Sequence, residues 1–139
     1  MSSDDPVNNG SPRILIVEDE AILAMSLQDK LSDLGYGMPV AVDSGEQAVQ
    51  VASEYHPDLV LMDIKLNGRI DGVEAARQIR SEVEIPVIFM SAYSDVDTVQ
   101  LALLTCSAGY LVKPVQLESL IRVIDQALNH QDPATRADG

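Results

Sequence analysis

The stretch DLVLMDIKLNGRIDG, residues 58–72, decides the fold. Its first five residues are nearly all apolar, as in a central parallel strand covered on both faces. The run ends at an acid, Asp63, and a polar loop leads to Asp71, which is placed to cap a helix from Gly72 to Ser81. Val73, Ala76 and Ile79 then form the inward stripe of that helix.

The same alternation runs outward in both directions. RILIV (13–17) is a strand, and residues 20–34 repeat apolar positions at Ile22, Leu23, Leu27, Leu31 and Leu34 with Gly35 as the stop. MPVAV (38–42) is a second strand, and Pro39 suits an edge or a strand start because it donates no ladder hydrogen bond. Ser44 caps a helix over 45–54, ended before Pro57. Toward the C-terminus, PVIFM (86–90) is the fourth strand and residues 95–106 a fourth helix, with Leu101, Leu103 and Leu104 spread around it. AGYLV (108–112) is the fifth strand, and Leu117, Leu120, Ile121, Ile124 and Leu128 pattern a final helix. These five βα units predict an α/β fold: a five-stranded parallel sheet, flavodoxin-like, of order 2-1-3-4-5 with helices on both faces. The folded domain is expected over 12–129, with flexible tails at 1–11 and 130–139.

Composition narrows the function. The 139 residues suffice for one core, and 46% hydrophobic with 22% charged residues is globular usage. A net charge of -13 repels polyanions, which argues against direct nucleic-acid binding. The lone Cys106 forms no internal disulfide and suits a reducing compartment. No apolar run reaches the ~18 residues of a membrane span, and the polar start lacks a secretion signal. A cytoplasmic setting away from membranes is expected.

That strand order sets Glu18, Asp19, Asp63, Ser91 and Lys113 along one carboxyl edge, where open α/β sheets place their chemistry. Clustered carboxylates raise one another's pKa values unless a cation intervenes, and an all-oxygen set suits Mg²⁺, with Mn²⁺ as a substitute. Asp19 and Asp63 read as direct ligands, joined by the backbone carbonyl of Lys65, with Glu18 acting through water. Glu18, Asp19 and Glu20 read equally as the acidic first turn of a helix. An acid ending a run as apolar as LVLM has little structural purpose, and as a nucleophile toward phosphorus Asp63 would form a phosphoaspartate. Lys113 would set its ammonium against the phosphoryl oxygens. A cis bond to Pro114 would aim that lysine, although trans is the commoner form. Ser91 either donates its hydroxyl to a phosphoryl oxygen or caps the next helix. Ala92 leaves the site open, with its backbone toward the phosphoryl group.

ILIVEDE (14–20), LVLMDIKLNGRIDG (59–72), PVIFMSAY (86–93) and GYLVKP (109–114) together resemble the receiver domain of two-component response regulators, over about residues 12–129. The resemblance implies Glu18 and Asp19 as metal-binding acids, Asp63 as phosphoacceptor, Lys113 as the phosphate-contacting lysine, and Ser91 and Tyr110 as switch residues. It also implies a phosphohistidine donor, either a sensor histidine kinase or a histidine phosphotransfer protein. An aspartyl phosphate lost by hydrolysis follows, together with a surface of the fourth helix, fifth strand and fifth helix that docks a downstream protein. The chain would be a monomer or a phosphorylation-dependent dimer. Two departures stand out: the loop KLNGRIDG is one residue longer than the common form, and Ser107 takes a place usual for glycine.

Met1 and the polar flanks favour a single-domain regulator over an excised segment of a hybrid kinase or larger regulator. A Mg²⁺-dependent phosphatase on the same fold would need a second acid where Lys65 stands, so no multiple-turnover enzyme is expected. A flavin site would need a hydroxyl-rich loop after the first strand.

Overall fold

The computed structural model describes residues 11–37, 39–92 and 108–130. Five strands, β1 (Ile14–Val17), β2 (Val40–Val42), β3 (Leu59–Asp63), β4 (Val87–Ala92) and β5 (Gly109–Lys113), form one parallel sheet of order β2-β1-β3-β4-β5. Four helices are described: α1 (Ala21–Asp33), α2 (Gly45–Tyr55), α3 (Gly72–Glu82) and α4 (Leu117–His130). The helix expected over 95–106, with Cys106 and Ser107, lies outside the described residues. So do the expected tails, apart from Ser11 and His130.

Strand alternation splits the core in two. Leu15, Val17, Val60, Met62, Val87 and Phe89 face α2 and α3, where Ala48, Ala52, Val73, Ala76 and Ile79 fill the layer. Ile14, Ile16, Leu59, Leu61, Ile88 and Met90 point the other way, onto Leu27 and Leu31 of α1 and Leu120, Ile124 and Ala127 of α4. Both faces of the central strands are therefore dry, which is why those segments read as continuous apolar runs. β2 is an edge strand, as Pro39 required. The Ser44 side chain accepts from Gln47 N–H and the Asp71 side chain from Glu74 N–H, so both expected caps are in place.

Two helix stripes differ from expectation. Ile22 is 82% exposed, and Ala24, Leu27 and Leu31 carry the buried face of α1 instead. On α4, Leu117 and Ile121 are partly exposed while Leu120, Ile124 and Ala127 are buried. In each case the inward stripe is narrower than the apolar one, so its outer edge meets solvent. Three strands also run past their apolar cores, β3 and β5 by one residue and β4 by two, so Asp63, Ser91 and Lys113 belong to β3, β4 and β5 rather than to the loops after them.

Candidate functional site

The sheet register explains the convergence. β1 ends at Val17 opposite Met62, so Glu18 and Asp19 emerge beside Asp63, while Ala92 pairs with Lys113 on the far side. The carboxylates of Glu18, Asp19 and Asp63 each offer an oxygen within 4.8 Å of the others. Lys113 Nζ lies 2.9 Å from Glu18 Oε1 and 3.1 Å from Asp63 Oδ2. The peptide between Lys113 and Pro114 is cis. Glu18, Asp63 and Ser91 are all buried.

Around this centre, backbone groups orient the acids. Glu20 N–H donates to Glu18 Oε2 at 3.2 Å, and Lys65 N–H to Asp63 Oδ1 at 3.3 Å. Asp19 Oδ2 accepts from Asn67 N–H at 3.1 Å. Gly72 is required where α3 meets β3, because a Cβ there would overlap the carbonyl oxygen of Asp63. An open cleft of about 430 Å³ lies above, lined by Asp19, Glu20, Asp63, Lys65, Asn67, Ala92 and Lys113. The Ser91 hydroxyl donates to Ala92 O at 3.1 Å and lies 3.1 Å from the Tyr110 hydroxyl, so the two switch candidates touch.

Burial pushes the Asp63 carboxyl up to about 7, the Glu18 carboxylate adds to the rise, and Lys113 only partly opposes it. Burial alone would lower the Lys113 ammonium, but its hydrogen bonds and attraction to Glu18 and Asp63 carry it above its usual value. The folded chain thus keeps a proton on Asp63 that the unfolded chain has already released. Stability from this group is full below the unfolded value of 3.8, falls as pH rises through the window to about 7, and levels off above it. The slope should reach at most ~1.4 kcal/mol per pH unit. Metal-free denaturation midpoints between pH 5 and 8, with those of an Asp63→Asn variant subtracted, measure it; a difference that stays flat with pH would contradict the perturbed carboxyl.

A hard divalent cation fits this cluster. Three carboxylates gather here, and buried Glu18 Oε1 accepts no hydrogen bond of good geometry, with the Lys113 ammonium as its ion-pair partner. Mg²⁺ would be held by Asp19 and Asp63, whose oxygens face the open cleft. Sequence reasoning missed Asn67, as well as Glu46, whose carboxylate accepts from Arg69 N–H at 3.0 Å and so holds the loop after β3. Both are contacts between distant segments, for which the only local sign was the extra loop residue.

A parallel α/β domain of order 2-1-3-4-5 with a carboxylate–lysine cluster at its carboxyl edge is the class that fold and site define. Residues 14–125 match the family model of the response regulator receiver domain, and the chain belongs to that family. It is 37% identical over 127 residues to the transcriptional regulatory protein PdtaR of Mycobacterium tuberculosis, covering 91% of this chain and 62% of that one. To the regulatory protein AtoC of Escherichia coli it is 37% identical over 120 residues, covering 86% of this chain and 26% of that one. The chain therefore spans less than two thirds of the length of either relative. A crystal structure of the signal receiver domain of a modulated diguanylate cyclase from Desulfovibrio desulfuricans G20 is similar with a TM-score of 0.81 at 40% identity, covering 86% of this chain and 95% of that one. Among the described residues no helix is long and apolar enough to cross a membrane.

Proposed function

We propose that this receiver domain takes a phosphoryl group onto Asp63 from a phosphohistidine protein, either a sensor histidine kinase or a histidine phosphotransfer protein. The observation that carries the reading is Asp63 itself: a buried carboxylate at the floor of an open cleft, facing an ammonium at 3.1 Å. Mg²⁺, bound by Asp19, Asp63 and the Lys65 carbonyl with Glu18 through water, would neutralise charge between the two reacting anions. An Asp63 oxygen attacks phosphorus in line, the P–N bond breaks, and the histidine ring keeps the electron pair, leaving as neutral imidazole because its other nitrogen carries a proton. Lys113 then has an incoming phosphoryl oxygen as a new partner, and the backbone of Ala92 lines the space that the group enters. Because Lys65 stands where a second acid would assist hydrolysis, the phosphoaspartate decays slowly by the domain's own activity and the chain does not turn over external substrates.

Output follows from the Ser91–Tyr110 contact. A phosphoryl group competes for the Ser91 hydroxyl, releasing Tyr110, whose ring packs against the α2–α3 side of the core. Tyr110 lies in β5, the strand that α4 packs against, and the exposed Val112 of that strand joins the exposed Leu117 and Ile121 of α4. That apolar surface is the docking face for a downstream protein in the cytoplasm or for a second copy after phosphorylation.

The test is direct. With Mg²⁺ and acetyl phosphate, intact mass should rise by about 80 Da, the gain should be lost on standing, and EDTA should prevent it. No adduct, or one indifferent to EDTA, would overturn the reading.

A further inference from the structure

Besides the site acids, one exposed acid grips the loop that follows Asp63. Glu46 sits in the first turn of α2, and its Oε2 accepts Arg69 N–H at 3.0 Å. Its other oxygen lies 3.2 Å from where a Cβ on Gly68 would stand, and Gly68 holds a left-handed φ of +119° that favours glycine. One residue before Gly68, Asn67 N–H is held by Asp19 Oδ2 at 3.1 Å. The loop carrying Lys65 is thus fastened from two elements by two carboxylates, one of which also belongs to the buried cluster.

We infer that Glu46 is a positioning residue for the cation site, holding the β3–α3 loop so that Lys65 and Asp19 keep their places when a divalent cation binds. This rests on the proposed role of the acid cluster. Asp19 has two demands on it, because a cation draws its charge away from the Asn67 N–H. The grip of Asp19 on the loop weakens at the moment the loop must supply a ligand. Glu46 is not one of the clustered acids and has no such conflict, and its bond to Arg69 keeps the loop end in place. The same backbone bond holds the Glu46 carboxyl below the usual carboxylate range, as a persistent charge-assisted contact does.

Three forms of the chain test this: unaltered, Glu46→Ala and Glu46→Gln, which keeps an acceptor oxygen but no charge. Mg²⁺ affinity is measured by calorimetry and the initial rate of adduct formation by intact mass. Glu46→Ala should lose roughly 10-fold in both, as removal of a ligand-orienting partner does, with an unchanged melting midpoint. Glu46→Gln should recover most of the loss. An unaffected Glu46→Ala beside a normal unaltered chain overturns this inference alone. A Glu46→Gln as impaired as Glu46→Ala also overturns it, since long-range charge would then be the cause. An unaltered chain that binds no Mg²⁺ overturns the site reading and this inference together.

Discussion

Asp63→Asn is expected to abolish the Mg²⁺-dependent adduct while leaving the domain folded. Asparagine has nearly the same shape and keeps a carbonyl oxygen for the Lys65 N–H that now reaches Oδ1 at 3.3 Å, while Lys113 gives up its Oδ2 partner and keeps Glu18. What it loses is the nucleophile: an amide oxygen does not form a stable bond to phosphorus under these conditions. It also removes the charge that Glu18 opposes, so the metal-free variant at pH 8 should be at least as stable as the unaltered chain. Intact mass after acetyl phosphate treatment reads the first effect and thermal denaturation the second. Asp19 and Glu18 are the internal competitors for modification, since each offers an oxygen within 4.8 Å of the Asp63 carboxylate. An adduct that persists in Asp63→Asn would move the acceptor to one of them and sink the assignment.

The elements were legible because each local rule agreed with the fold. DLVLM needed two dry faces and has them, and Ser44 and Asp71 cap the helices that follow them. The gathering of Glu18, Asp19, Asp63, Ser91 and Lys113 needed only the strand order, since each stands at or just beyond a strand's carboxyl end. Helix orientation was less legible. Apolar residues cover more of the circumference of α1 and α4 than the sheet covers, so periodicity alone does not say that Ile22 and Ile121 fall outside while Leu27 and Ile124 fall inside. Contacts between loops were not legible at all. Asn67 reaches Asp19 across 48 positions and Arg69 reaches Glu46 across 23, and no periodicity encodes either. The Asp63 carboxyl near 7 is likewise a product of burial and of neighbours brought in by folding.

Lys113→Ala should be strongly destabilising in the absence of a divalent cation. Lys113 Nζ is the ammonium that faces both Glu18 and Asp63, whose side chains are only 1% and 5% exposed. Breaking a buried pair by removing one partner typically costs about 3–5 kcal/mol, because the charge left behind has lost its water and gained nothing. Here two carboxylates are left, but one escape exists: Asp63 takes a proton. The loss should therefore be largest at pH 8 and smaller at pH 5, where Asp63 is already neutral in the folded chain. Mg²⁺ should restore part of it by supplying the missing positive charge, a recovery that a packing defect would not show. Phosphorylation should fall by roughly 100-fold, the usual cost of losing one donor aimed at developing negative charge. Denaturant melts at the two pH values, with EDTA or Mg²⁺, separate these terms. If Lys113→Ala lost less than about 1 kcal/mol at pH 8 in EDTA, the ion pairs would be worth no more than surface contacts, and the cluster would already be relieved by solvent rather than waiting for a cation and a phosphoryl group.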